Sequence, residues 1–280
     1  MDKTLIFSDS HICNSNIIEL KDIFAEIMNY KADRVICLGD YYDRKLLNAE
    51  ELIFGTNIMK QFVEKYSEVI MLEGNHDKET IKYIIDLGVK VFPSIVIDNN
   101  YYGHFFVDES IKSFNSAKRS LTEFDQYNYV FLGHQHSFQV LKEKRIHPGS
   151  CIFVDFGEVD DTSKNIIMLE NDKIDIIELK SPIPMIDIFN KKDLDKLGER
   201  YKVRYVIKDF NQLKVEANEL EQYKDKFYQF KIKLDFENKE DKVDIFPKKN
   251  INEILNDWLK KIKDQAVKLE LESAFSEDKC

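Results

Sequence analysis

The chain has 280 residues, 43% of them hydrophobic, and a formal net charge of −10. That length and composition can bury a full core with a smaller second unit, and no apolar run approaches the ~20 residues that a membrane span needs. The acidic balance argues against broad non-specific attraction to nucleic acid, leaving only local basic patches for such contacts.

The first elements alternate. MDKTLIFSDSH opens on an apolar run too short for a secretory signal. Ile17, Leu20, Phe24, Ile27 and Met28 recur at helical spacing, and RVICLGD follows as a buried strand ending in Gly-Asp. Ile53, Ile58, Phe62 and Tyr66 predict a second helix before the strand EVIMLEGNHD, and Ile81, Ile84, Ile85 and Leu87 a third before VKVFPSIVID. This is the signature of an α/β fold with parallel strands. From about residue 90 strands dominate, among them YYGHFFV, YVFLGHQH, CIFVDF, NIIMLE and KIDIIEL.

Two prolines and a charged stretch make residues 181–200 a linker. Beyond it, alternation at Tyr201, Val203, Tyr205 and Ile207, helical spacing at Leu213, Ala217, Leu220 and Phe227, and renewed alternation from Tyr228 to Phe236 predict a strand-helix-strand unit. Ile251, Ile254, Leu255, Trp258, Leu259 and Ile262 form the apolar stripe of a terminal helix, with Asn250 and Glu253 placed as a capping box. The expected domains are therefore residues 1–185, a small α/β unit at 186–245 and a helical tail at 246–280. The cysteines Cys13, Cys37, Cys151 and Cys280 lack paired metal-ligand spacing, so reduced thiols and a cytoplasmic location are expected.

Five of the six histidines lie beside a glycine or near an acid at strand ends: Asp9-Ser10-His11, Gly74-Asn75-His76-Asp77, Gly103-His104 and Gly133-His134-Gln135-His136. Gly39-Asp40-Tyr41-Tyr42-Asp43-Arg44 adds a fifth polar cluster. The carboxyl ends of neighbouring strands in an α/β sheet lie together, so the clusters should converge. Two aspartates, an asparagine oxygen and four imidazoles, without thiolate, suit Mn²⁺, Fe²⁺ or Zn²⁺ rather than Ca²⁺. Seven donors are too many for one tetrahedral ion and enough for two that share a carboxylate. Such a pair can activate water and stabilise both oxygens of a displacement at phosphorus. His147, standing apart, reads as an ordinary hydrogen-bonded histidine.

The series DSH, GDYYDR, GNHD, a lone histidine and GHQH resembles the five-block signature of the calcineurin-like metallophosphoesterases. The resemblance implies a β-sandwich flanked by helices, with Asp9, His11, Asp40 and His136 on one metal and Asp40, Asn75, His104 and His134 on the other. It implies that His76 acts as general acid or phosphate stabiliser, with Asp77 orienting its ring. Asp43 and Arg44 would form a supporting ion pair beneath the loop, with Arg44 contacting substrate phosphate as the alternative.

Further along, Ser150, Phe156, Gly157, Glu158 and Lys164 fall in a stretch similar to that of the SbcD-type repair nucleases, running from Pro-Gly-Ser through Phe-Gly-Glu to a lysine and two strands. That likeness implies a two-metal phosphodiesterase, an exo- or endonuclease cleaving DNA by a metal-bound hydroxide, with Mn²⁺ preferred and Fe²⁺, Zn²⁺ or Mg²⁺ as alternatives. It also implies a capping unit that guides DNA, an SbcC-type ATPase partner and a homodimer, with no membrane partner. The alternatives are a phosphomonoesterase, a small-molecule or cyclic-nucleotide phosphodiesterase, and a non-catalytic scaffold. Lys112, Lys118, Arg119, Lys142, Lys144 and Arg145 are the basic residues considered for DNA phosphates.

Overall fold

The structure, a computed structural model, describes residues 2–110, 119–209, 212, 213, 216, 219–235 and the backbone of 243–245. Strands β1 (Thr4–Phe7), β2 (Arg34–Cys37), β3 (Glu68–Leu72) and β4 (Lys90–Phe92) alternate with helices α1 (Ile17–Ile27), α2 (Ala49–Lys65) and the short α3 (Lys82–Ile85). The four strands pair in parallel, with Thr4 opposite Arg34, Arg34 opposite Glu68 and Ile70 opposite Lys90. A second sheet contains β5 (Ile95–Ile97), β6 (Asn100–His104), β7 (Val130–Gly133), β8 (Gln139–Lys142) and β9 (Arg145–His147), in the order β5-β6-β7-β9-β8. Strands β10 (Asn165–Glu170) and β11 (Lys173–Glu178) return to the first sheet, β10 lying antiparallel to β1.

Period-two alternation assigns each strand residue to a layer. Leu5, Phe7, Val35, Cys37 and Met71 pack with Leu20 and Phe24 of α1 and Phe62 of α2. The intervening Ile6, Ile36, Ile70 and Leu72 meet Tyr102, Phe131 and Ile146 of the second sheet. Tyr101, Val130 and Leu132 cover Leu121 and Phe124 on that sheet's far side. The mixed α/β sandwich with flanking helices expected from the sequence is what forms. Strands buried on both faces explain why the apolar runs of β1 to β3 are nearly continuous.

Three local readings change. Pro93 breaks VKVFPSIVID into β4 and β5, which belong to different sheets, because proline lacks the N–H a ladder needs. CIFVDF forms no strand and ends in a 3-10 turn at Phe156–Glu158. The backbone amides of Val154 and Asp155 in that stretch donate to the Glu158 carboxylate instead of to a neighbouring strand. The stretch read as a linker holds β12 (Met185–Ile188) and α4 (Lys191–Lys196).

The chain divides into two compact units, Met1–Ile183 and Pro184–Cys280. In the second, β12, β13 (Lys202–Ile207) and β14 (Gln229–Leu234) are parallel and β15 (Val243–Ile245) is antiparallel to β14. Val203, Tyr205, Ile207, Phe230, Ile232 and Leu234 form its core with Leu194, Leu220, Tyr223 and Phe227. The terminal helix expected beyond residue 246, together with Ala217, Phe236 and Cys280, lies outside the described residues. Among the described residues no helix is long and apolar enough to cross a membrane.

Candidate metal centre

Parallel pairing carries the strand ends of each sheet to a common edge. Asp9 and His11 follow β1, Asp40 and Asp43 follow β2, and Asn75 and His76 follow β3; His104 ends β6, while His134 and His136 follow β7. The loops after β1 and β2 are zipped together, Asp9 N–H donating to the Gly39 carbonyl at 3.1 Å and His11 N–H to the Asp40 carbonyl at 3.0 Å. Asp9, His11, Asp40 and His134 have φ values of 52°, 46°, 49° and 78°, a left-handed region that residues bearing a Cβ seldom occupy. Strain of this kind persists only where surrounding contacts over-determine it. Close approach also requires glycine at position 74, where a Cβ would stand 2.1 Å from Asp40 Oδ1 and 2.2 Å from Asp40 N.

Six of the seven predicted ligands form two groups, Asp9, His11 and His136, and Asp40, His104 and His134, each with its ligand atoms within 4.8 Å of one another; His11 with Asp43 and His76, and His136 with Asp155 and Glu158, meet the same distance. In the first, His11 Nε2 and His136 Nε2 are 3.1 Å apart. Their other ring nitrogens face carboxylates, His11 Nδ1 at 3.2 Å from Asp43 Oδ1 and His136 Nδ1 at 3.1 Å from Glu158 Oε1. A carboxylate accepts, so each Nδ1 carries the proton and both Nε2 lone pairs point at one another. In the second group, His104 Nδ1–H donates to the Leu38 carbonyl at 2.7 Å, which turns the Nε2 lone pair toward Asn75 Oδ1 at 3.2 Å and Asp40 Oδ2 at 3.2 Å. The same Asp40 Oδ2 lies 3.9 Å from His11 Nε2. With the His104 Nε2 proton removed, these acceptors converge without a donor between them, an arrangement that a cation satisfies, and Asp40 faces both positions. The residues therefore fit two divalent ions, with nitrogen and oxygen donors throughout.

The electrostatics follow from the same contacts. Burial alone would push the Asp40 carboxyl up, but His104 overcomes this and holds it well below the usual carboxylate range. Burial alone would push His104 down, and its hydrogen bond to Asp40, together with the charges of Asp9 and Asp40, raises it to about 9. The proton held there occupies the place a cation would take. His134 goes the other way, lowered to about 4 by burial and by the charge of His104.

Two predicted site residues prove to have different tasks. Asp77 is fully buried, and its carboxylate accepts from the backbone amides of Tyr41 at 2.6 Å, Gly74 at 3.0 Å and Tyr42 at 3.4 Å. Instead of orienting His76, it ties the loop after β2 to the loop after β3; burial and the nearby Asp40 charge raise it to about 6. The His76 ring is held by the Asp43 carbonyl, 2.7 Å from Nδ1. The expected Asp43–Arg44 ion pair gives way to two others, Asp43 with His11 and Arg44 with Glu51 in the first turn of α2. Arg145 is also removed from the phosphate-binding candidates: it is buried and donates to the carbonyls of Phe124, Tyr127, Asn128 and Lys144. His147 is a buried core histidine bonded to the Leu132 carbonyl and Ser110 Oγ.

Sequence reasoning left Glu158 and Ser8 without a role. Glu158 backs His136, and Ser8 Oγ donates to Asp9 Oδ2. The Asp155-to-Glu158 capping-box spacing was the available signal for Glu158, although it points to a turn and not to a histidine.

The sequence matches the calcineurin-like phosphoesterase family over residues 3–208, and the chain belongs to that family. The match covers the first unit and enters the second. No curated protein matches the chain. Among solved structures it is similar to the nuclease MPE of Pseudomonas putida, at 16% identity over 62% of this chain and 87% of that one, with a TM-score of 0.35. It is also similar to a Vps29 single mutant from Entamoeba histolytica, at 16% identity over 64% and 99%, with a TM-score of 0.40. Vps29 of Chaetomium thermophilum gives 13% identity over 64% and 97%, with a TM-score of 0.37.

Proposed function

We propose that this chain is a two-metal phosphodiesterase that hydrolyses DNA in the manner of the SbcD-type nucleases, with Mn²⁺ as the working ion. The observation that carries the phosphoesterase reading is the convergence of acceptor atoms into two groups, with Asp40 Oδ2 of the second 3.9 Å from His11 Nε2 of the first. Asp9, His11, Asp40 and His136 would hold one ion, and Asp40, Asn75, His104 and His134 the other. When bound, the pair would lower the pKa of coordinated water toward ~7 and neutralise charge on the phosphate oxygens.

The chain's own residues supply the rest. Asp43 and Glu158 fix the tautomers of His11 and His136 so that both Nε2 atoms face inward. Asp40 Oδ1 accepts from the backbone amide of His76 at 2.9 Å, which aims Oδ2 at the two positions. The His76 ring stands edge-on to His11 with centroids 4.8 Å apart. Its Nδ1 is engaged by the Asp43 carbonyl, so Nε2 is the atom that would pass a proton to the departing alcohol.

The nuclease assignment is supported by the likeness of the Pro-Gly-Ser to Phe-Gly-Glu segment and the Lys164 that follows it to the SbcD-type stretch. An SbcC-type ATPase and a second copy of the chain are the partners this reading entails. The test is one matched assay: purified protein with Mn²⁺, labelled single- and double-stranded DNA, bis(p-nitrophenyl) phosphate and p-nitrophenyl phosphate, with the ATPase added in a parallel series. DNA cleavage is the expected result. Turnover of the small esters without DNA cleavage under either condition would move the chain to the small-substrate phosphoesterases, and no turnover at all would leave a scaffold.

A further inference from the structure

Glu158 and Lys164 form a buried ion pair, 0% and 2% exposed, with Glu158 Oε2 2.5 Å from Lys164 Nζ. Placing both charges out of water is costly, and a tight turn could be closed by neutral groups. The contacts indicate what the charges are for. Glu158 Oε1 accepts from His136 Nδ1 at 3.1 Å as well as from the amides of Val154 and Asp155. Lys164, the residue before β10, also donates through Nζ to the His136 carbonyl at 3.2 Å and to Asp161 Oδ2 at 2.8 Å. Ser150 Oγ reaches both Glu158 Oε2 and the His136 carbonyl, at 3.3 and 3.2 Å. His136 is thus gripped at its ring by the acid and at its backbone by the base of one pair.

Resting on the two-metal reading above, we propose that Glu158 and Lys164 are positioning residues for the cation at the Asp9–His11–His136 group. Glu158 keeps the proton on His136 Nδ1 and strengthens Nε2 as a donor to the ion. Lys164 holds that carboxylate in one rotamer. Asp155 also approaches His136 and Glu158 within 4.8 Å, but both oxygens of Glu158 are already engaged, Oε1 by His136 and two backbone amides and Oε2 by Lys164. His104 in the other group is backed by the neutral Leu38 carbonyl, so the pair acts on one of the two positions.

The test uses the full chain, stripped of metal and titrated with Mn²⁺ by calorimetry and electron paramagnetic resonance, with thermal melts of each metal-free variant. The wild type is expected to take up two Mn²⁺ and to show a spin-coupled pair. Glu158→Gln, nearly isosteric, is expected to weaken one position by about 10- to 100-fold and to leave the other within about twofold. At one equivalent of added Mn²⁺ per position the coupled signal then gives way to that of an isolated ion. Glu158→Asp, which keeps the charge but falls short of the ring, and Lys164→Met are expected to weaken the same position, with Lys164→Arg restoring part of the loss. Two wild-type affinities retained in both Glu158 variants, or equal weakening at both positions, would overturn the proposal while leaving the two-metal reading intact. A wild-type chain that takes up no stoichiometric Mn²⁺ would overturn that reading and this one with it.

Discussion

At the scale of single residues, Asp40 and His76 separate binding from proton transfer. Asp40 Oδ2 faces both donor groups, so Asp40→Asn is expected to reduce uptake at both positions. His76 reaches Asp40 through its backbone amide and not through its ring. His76→Asn should therefore retain two Mn²⁺ by calorimetry while losing about 10²- to 10⁴-fold in kcat; loss of either ion would sink this division of roles. The metal-free state also has a signature in pH. The folded pKa of His104, about 9, lies above the ordinary value of 6.5, so its contribution to stability is fully present below pH 6.5 and is lost as pH rises through 9. The melting temperature of the metal-free chain should fall across that window. Mn²⁺ must displace the same proton, so its apparent affinity should rise over the same interval. A flat melting curve from pH 6.5 to 9 would refute the His104–Asp40 pairing on which this rests.

At the scale of elements, the site depends on two loops packed at backbone distance. Gly74→Ala would drive a Cβ into Asp40 Oδ1 and Asp40 N, one of them backbone and unable to swing aside. The loop after β2 must then move, with a loss of about 1–3 kcal/mol by urea unfolding and weakened Mn²⁺ uptake. Wild-type stability and uptake together would show that the approach is looser than described. Much of this was legible, because periodicity locates β1, β2, β3 and β7 and the polar clusters then fall at their ends. The supports were not. Asp77 adjoins His76 in sequence, but its carboxylate turns inward to three backbone amides. Glu158 is 22 residues from His136, and no local pattern announces a bond of that range. CIFVDF has the composition of a strand, yet its amides are captured by an acid that follows them.

At the scale of the whole molecule, the candidate ligands fall within one of the two units of the chain. Every candidate ligand, from Asp9 to His136, and the Glu158–Lys164 pair lie within Met1–Ile183. The buried clusters of that unit share no residue with the cluster built on Val203, Tyr205 and Phe230, which is the condition for folding alone. Arginines in the first unit are already engaged: Arg34 with Glu68, Arg44 with Glu51, Arg119 with Glu123, and Arg145 with four carbonyls. Phosphate contacts along a DNA backbone depend on such groups and set both affinity and its salt dependence. If residues 184–280 supply them, a chain ending at Ile183 should bind Mn²⁺ and turn over bis(p-nitrophenyl) phosphate within about threefold of the full chain, while DNA cleavage falls by at least about tenfold at physiological salt. Equal loss of both activities would show that the second unit supports the fold of the first. Undiminished DNA cleavage would place the DNA-binding surface on the first unit, with its lysines as the next residues to replace.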